Sequence, residues 1–485
     1  MKNLRNFVIF LTIAIICIAP RLWHINAPVA DWHSWRQADT AAVARNYLKK
    51  GVDPLRPVYD DLSNIQSGLD NPQGLRMVEF PLYQLSAVGL FKLFNISSIE
   101  VSLRLVSVIA SGLTALIIYI LVSHIISLSV GFTAALIFSI IPYSIFYGRA
   151  ILPEMFATSL ALVSLSCLYA YFQIPQKSGW RRILLFITSM LAASCALLAK
   201  PTVIFLLIPA PYLFLKGFSR RAGFLVATGI YFFVALFPLW WWRVWISQFP
   251  EGIPANEWLF NGGNIRFKGA WFYWIFAERI AKLILGYWGV GFLLVGLIVK
   301  RVKKEGWFFT IWAVGILLYL IVFARGNVQH DYYQILLLPT LAVFSAKGVN
   351  HLLNSVSYER KFSYPAAAAV IIFMFGFSWY TIRTYYWINR SDLIAAGRVA
   401  DTLLPPGVKV IAPNNGDTTF LYQINRQGWP IGFDIPAKIN AGAQYYVTVS
   451  PTDSDLETKE LSEKYTVLVR NDEFAIIDLT QPQQK

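Results

Sequence analysis

The chain has 485 residues, 56% of them hydrophobic and 14% charged, with a mean hydropathy of +0.50 and a net charge of +15. Soluble domains carry about 25% charged residues, so the composition excludes a soluble globular protein and points to a polytopic α-helical membrane protein. The positive balance does not indicate a nucleic-acid binder. The basic residues fall in short clusters between apolar runs rather than on one basic module, and cytoplasmic loops of membrane proteins collect Lys and Arg.

The N-terminus is basic (Lys2, Arg5) and is followed by an apolar stretch over 7–19 with no small-residue cleavage site after it, which reads as an uncleaved first span. The most polar long segment before the tail comes next, over 31–82, where Asp31, Asp39, Asp53, Asp60, Asp61, Asp70 and Glu79 alternate with Arg36, Arg45, Lys49, Lys50, Arg56 and Arg76. A spanning helix needs about 20 mostly apolar residues. Runs of that kind predict eleven spans, near 6–23, 103–124, 128–147, 155–173, 183–199, 201–216, 222–242, 282–300, 307–324, 332–348 and 364–382. The apolar segment 81–94 is short and interrupted by Lys92, and reads as a juxtamembrane or re-entrant helix.

Orientation follows from charge. With the N-terminus cytoplasmic, the clusters Lys177/Arg181/Arg182, Lys216/Arg220/Arg221, Lys300/Arg301/Lys303/Lys304 and Lys347/Arg360/Lys361 all fall inside. Counting 81–94 as a full span would put them all outside. The external side then receives 24–102, the turn at 149–154, Lys200-Pro201, the loop 243–281, the turn 325–331 and everything after about 383. Trp240, Trp241, Trp242 and Trp245 suit an interfacial aromatic belt.

The segment 386–485 changes character. Helical patterns at 391–404, 418–425 and 453–464 alternate with strand patterns at 408–412, 445–449, 465–470 and 474–479. This predicts a small external α/β domain behind a membrane domain over 1–385. Cys17, Cys167 and Cys195 all sit in apolar runs without CxxC or Cys/His spacing, so neither a disulfide framework nor a metal site is expected, and no cofactor is implied.

Candidate site residues are the ionisable groups at external span ends. In the first loop a helix can start at Asp39, with Arg45 two turns on; Arg36 and Gln37 precede it. Glu79 stands before Pro81, where the chain turns apolar, and a carboxylate at a membrane boundary is costly unless solvated or paired. Arg149 and Glu154 are the only charges between 125 and 176; the bland alternative is a mutual surface ion pair. Lys200 follows an apolar run, placed either to meet a phosphate or to snorkel to the interface. His330, Tyr332 and Tyr333, beside Arg325 and Asp331, mark the last external turn of the bundle.

At these residues the chain resembles the GT-C superfamily of membrane glycosyltransferases, specifically bacterial relatives of the dolichyl-phosphate-mannose protein mannosyltransferases and of the lipid A aminoarabinose transferase. The motifs are the acidic first loop, Glu79-Phe80-Pro81-Leu82, the turn from Arg149 to Glu154, and His330 to Tyr333. The resemblance implies a GT-C-like fold in the inner or plasma membrane and inverting transfer from a polyprenyl-phosphate-linked sugar to a lipid, glycan or protein acceptor on the outer face. Glu79 matches the family's acid just before the Pro-Leu helix and Glu154 its acid in the second external turn, and Asp39 is the first-loop acid C-terminal to the family's remaining acidic position; these three are the candidate catalytic carboxylates. Arg36, Gln37, Arg45, Arg149, Lys200, His330, Tyr332 and Tyr333 are candidate substrate-binding groups. One position departs from the pattern. The family often has an Asp-Glu pair about eight residues before the Ala-Arg of the loop helix, and here Arg36-Gln37 stands there. That shifts weight toward Glu79 and leaves the choice of base open. A ligase or polymerase of lipid-linked glycans is the nearest enzymatic alternative. A transporter or flippase of lipid-linked sugars is the alternative from another class, although such proteins place ionisable groups at mid-membrane, in broken helices and paired repeats.

Overall fold

The computed structural model describes residues 2–175, 177–218, 221–355, 359–449, 451 and 456–483. Arg220 of one basic cluster, and the start of the helix predicted at 453–464, lie outside the described residues. Contacts divide the chain into two compact units, one formed by Met1–Ile25, Arg104–Val244 and Asn256–Thr384, the other by Asn26–Leu103, Trp245–Ala255 and Tyr385–Lys485.

The first unit is helical. Among the described residues of the chain, seven helices are long and apolar enough to cross a membrane, or eight if the bent pair Gly269–Ile284 and Gly289–Ile298, meeting at 116°, is one span. Besides run 282–300, which contains that bend, the eleven expected runs differ from this at three places. Run 128–147 is broken at Pro142 into Leu128–Ile140 and Pro142–Tyr147. Run 201–216 becomes a 3-10 turn, Pro201–Phe205, and a helix, Pro209–Gly217. The third is the 15-residue helix Phe308–Val322. Proline is favoured at the first turn of a helix and ends the one before it, so hydropathy alone overcounts continuous helix. Where helices do pack, some meet backbone to backbone: a Cβ on Gly296 would lie 1.7 Å from the Phe344 carbonyl oxygen, and one on Gly348 2.0 Å from that of Phe292. Small residues permit such close approach between apolar helices.

The second unit is built on a five-stranded sheet of β1 (Lys409–Ile411), β2 (Gly428–Trp429), β3 (Ala443–Val449), β4 (Tyr465–Arg470) and β5 (Phe474–Pro482), in the order β2-β1-β3-β5-β4. β1 runs parallel to β2 and β3, while β5 runs antiparallel to β3 and β4. Strand residues alternate between faces. Val410, Val447 and Ile476 pack under the helices Ser391–Leu403 and Thr419–Ile424 with Leu393, Ala396, Phe420 and Leu421. Ile411, Tyr446 and Ile477 face the other way, against Trp429, Ile435 and Leu461. Leu62, from the first loop, completes this second cluster.

That contribution is part of a continuous seam between first loop and tail. The Gly428 amide donates to the Asp60 carbonyl (2.9 Å) and the Leu62 amide to the Gly428 carbonyl (2.8 Å), so Asp61 bridges β2 in parallel. Gln427 Nε2 donates to the Tyr59 carbonyl at 2.7 Å, and Lys50 Nζ to Gln427 Oε1 at 2.7 Å. The division expected at 385/386 therefore differs from the one the contacts draw, in which 26–103 and 385–485 share a unit. The predicted strands at 408–412, 445–449, 465–470 and 474–479 correspond to β1, β3, β4 and β5, whereas two-residue β2 and the helix Ile435–Asn440 are unpredicted. The first-loop helix runs Ser34–Lys50 and starts five residues before Asp39. The short helix Leu82–Phe94 has 13 residues and rises about 20 Å, less than the roughly 30 Å of a hydrocarbon core.

Candidate active site

On the Ser34–Lys50 helix, Arg36, Asp39, Thr40 and Val43 follow the spacing that puts residues on one face. Together they form one wall of a cleft whose remaining lining includes Pro57, Arg76, Val78, Glu79, Pro81 and Gln84. Two carboxylates thus share the cleft, and each has its own arginine. Arg36 Nη2 donates to both oxygens of Glu79, at 2.9 and 3.1 Å. Arg76 Nη2 lies 3.0 Å from Asp39 Oδ2. The other partners of Asp39 are Gln66 Nε2, 3.3 Å from the same oxygen, and the Thr418 hydroxyl, 2.7 Å from Oδ1. Arg76 also donates to Gln66 Oε1 and lies over the Tyr59 ring. The Glu79 side chain is 14% exposed and that of Asp39 is 0%. Both carboxylates have donors on both oxygens, and Glu79 is the more exposed of the two.

Gln37 and Arg45, on the same helix, point elsewhere. Gln37 Nε2 donates to Asp31 Oδ1 (2.6 Å) and to the Trp32 carbonyl (3.0 Å), tying down the chain before the helix. Arg45 pairs with Asp60 rather than with Asp39, at 2.5 Å. It also donates to the Tyr422 carbonyl (2.7 Å) and sits 3.9 Å from the centre of the Tyr422 ring. Burial works against the Arg45 charge, but Asp60 and its other anionic neighbours outweigh it and hold the guanidinium above its ordinary range. Arg45 therefore serves the seam with the tail. Beside it, burial pushes the Asp61 carboxyl up to about 7, although the Ser63 amide donates to it at 2.8 Å. Burial also raises Asp417.

The remaining candidates lie in the first unit. Glu154 and Arg149 form no surface pair; both are buried. Glu154, in the first turn of the helix Pro153–Gln173, lies 2.7 Å from Lys200 Nζ. Arg149 Nη1 donates to the His24 carbonyl at 3.0 Å, and its guanidinium faces the Phe146 ring. Lys200 is likewise buried rather than snorkelling, with its ammonium 5.5 Å from the centre of the Tyr333 ring. His330, Tyr332 and Tyr333 stack in sequence, with ring centres 5.4 and 4.8 Å apart. Asp331 turns inward between them: Tyr147 donates to its Oδ1 at 2.6 Å, Tyr143 to its carbonyl at 2.6 Å, and Arg279 Nη1 lies 3.9 Å from its Oδ2.

Arg76 and Thr418, which contact Asp39, and Arg279, which lies near Asp331, are outside the sequence-derived set. Asp331 was signalled by its flanking aromatics. Arg76 was one of many basic residues in the loop, and Thr418 and Arg279 carry no local signal. Among the described residues no group of three or more His, Cys, Asp or Glu side chains is placed to hold a metal ion. The cleft can do two things chemically. A carboxylate can accept a proton, and two guanidiniums can stabilise anionic charge through planar, multidentate hydrogen bonding.

Comparison with known proteins gives a consistent picture. The dolichyl-phosphate-mannose-protein mannosyltransferase family model matches residues 80–242. Among solved structures, ArnT from Cupriavidus metallidurans bound to undecaprenyl phosphate is 14% identical, with 99% of each chain covered and a TM-score of 0.61. The Archaeoglobus fulgidus oligosaccharyltransferase AglB, in complex with an inhibitory peptide and a dolichol-phosphate, is 12% identical, with 98% of this chain and 74% of that one covered and a TM-score of 0.54. The arabinofuranosyltransferase AftD from Mycobacteria is 13% identical, with 97% of this chain and 41% of that one covered and a TM-score of 0.57. No curated protein sequence matches the chain. The chain shares its fold with these solved structures.

Proposed function

We propose that this GT-C-fold chain is a multi-pass membrane glycosyltransferase that moves a sugar from a polyprenyl-phosphate-linked donor to a lipid, glycan or protein acceptor. The observation that carries the reading is the cleft in which Glu79 and Asp39 stand side by side, each held by an arginine. The lipid phosphates bound to ArnT and AglB support the donor class. The short basic clusters support a cytoplasmic N-terminus, with the cleft and the tail outside.

In this reading Glu79 takes the proton from the attacking acceptor group. The acceptor atom bonds to the anomeric carbon as the bond from that carbon to the phosphate oxygen breaks, and the electron pair leaves with the polyprenyl phosphate. Arg36 aims the Glu79 carboxylate. Asp39 keeps Arg76 turned toward the cleft, where its charge opposes that of the departing phosphate. In the first unit, the buried Lys200, held by Glu154 and flanked by Tyr333, is a separate candidate substrate-binding cation.

The test is donor consumption by the purified protein in detergent across a panel of polyprenyl-phosphate sugars. The proposal expects one donor to lose its sugar, with polyprenyl phosphate as product. If every donor stays intact while labelled lipid-linked sugar crosses proteoliposome membranes, the chain is a transporter.

A further inference from the structure

We infer that Thr418, in the tail and 379 residues from Asp39 in sequence, is a positioning residue of the cleft: its hydroxyl fixes the Asp39 carboxylate and, through it, the Arg76 guanidinium. The inference rests on the proposed role of the cleft. Its physical basis is a side chain diverted from its local task. Thr418 is the N-cap of the helix Thr419–Ile424. A threonine at an N-cap ordinarily offers its side-chain oxygen to an amide of the first turn. Thr418 makes no such bond. The Thr419 amide donates to Asp417 Oδ1 at 2.7 Å. The Thr418 hydroxyl lies 2.7 Å from Asp39 Oδ1 and 3.3 Å from the Trp35 carbonyl oxygen. A hydroxyl has one proton to donate, and the nearer, charged acceptor takes it.

The effect on Asp39 is geometric. Arg76 and Gln66 occupy Oδ2, and Thr418 holds Oδ1 from the tail side. Donors on both oxygens fix the plane of the carboxylate, and the carboxylate in turn fixes Arg76. The platform that presents Thr418 is itself rigid. Its helix carries Tyr422, whose ring and carbonyl grip Arg45, and it continues into β2, to which Asp61 is bridged. The tail therefore completes the cleft.

Full-length Thr418→Val, Thr418→Ser and Asp39→Asn are compared with wild type for kcat and KM toward the consumed donor and for unfolding midpoint in detergent. Thr418→Val replaces a hydroxyl with a methyl and is expected to lower kcat about tenfold, as loss of a hydrogen bond to a charged group does, with KM for the donor changed by no more than about twofold. Thr418→Ser keeps the hydroxyl and restores kcat. If the valine variant does not fold, Thr418→Ala, which only removes atoms, replaces it. Two results overturn the inference while leaving the cleft's role intact: wild-type kcat in Thr418→Val beside an impaired Asp39→Asn, or a serine variant as slow as the valine one. Wild-type turnover in Asp39→Asn overturns the reading of the cleft and the inference with it.

Discussion

Two carboxylates of the same unit meet different fates. Glu79 keeps a partly open side chain against one guanidinium, whereas Asp61 is fully buried, and burial raises its carboxyl to about 7. The folded-state value is raised above the unfolded one, so between about pH 4 and 7 the native state keeps a proton that the unfolded chain has lost. The Asp61 contribution to stability is therefore largest below about pH 4 and is lost as pH rises to about 7. A shift of about 3 units corresponds to roughly 4 kcal/mol at most. Asp61→Asn, which can still accept from the Ser63 amide, should abolish this decline. Thermal unfolding between pH 5 and 8 checks it: the variant should gain on wild type as pH rises, and parallel curves would mean that Asp61 is ionised without penalty. At this scale the sequence was partly legible. Glu79 stood out as a charge at an apolar boundary and Asp39 and Arg36 as charges of the polar first loop, and all three line one cleft. Arg45 and Gln37 were equally conspicuous, but a sequence does not show which way a helix turns. One faces Tyr422 and Asp60 and the other Asp31.

Among elements, the seam between first loop and tail is the feature with the greatest consequence. Gly428 is its tightest point. A Cβ there would lie 1.7 Å from the Val410 carbonyl oxygen, which is backbone that cannot swing aside. The same residue exchanges hydrogen bonds with Asp60 and Leu62. Gly428→Ala should force β2 away from β1, destabilising this unit by about 3 kcal/mol, the upper part of the usual range for overpacking. Limited proteolysis is the readout: tail fragments should be released at protease levels that leave wild type intact, and equal resistance would show that the sheet relaxes around the methyl. The strands of the tail were legible from their alternation of apolar residues. β2 was not, because two residues carry no period, and the seam was not, because its partners lie more than 360 residues apart. Proline breaks inside apolar runs were visible as residues, but a count of hydropathy passes over them. Those breaks, the bend within 282–300 and the shortness of Phe308–Val322 separate the eleven predicted spans from the seven or eight helices that are long enough.

For the whole molecule, a fold shared with ArnT and AglB carries a cleft of arginine-held carboxylates, and the proposed function stands on Glu79 removing a proton during sugar transfer. The most direct test measures donor binding and single-turnover sugar loss in Glu79→Gln. Glutamine has nearly the same shape but cannot take the proton. The account predicts donor affinity close to wild type and turnover lower by about 10²- to 10⁴-fold, the usual contribution of a general base. Turnover at the wild-type rate with donor bound would contradict it and place the base elsewhere.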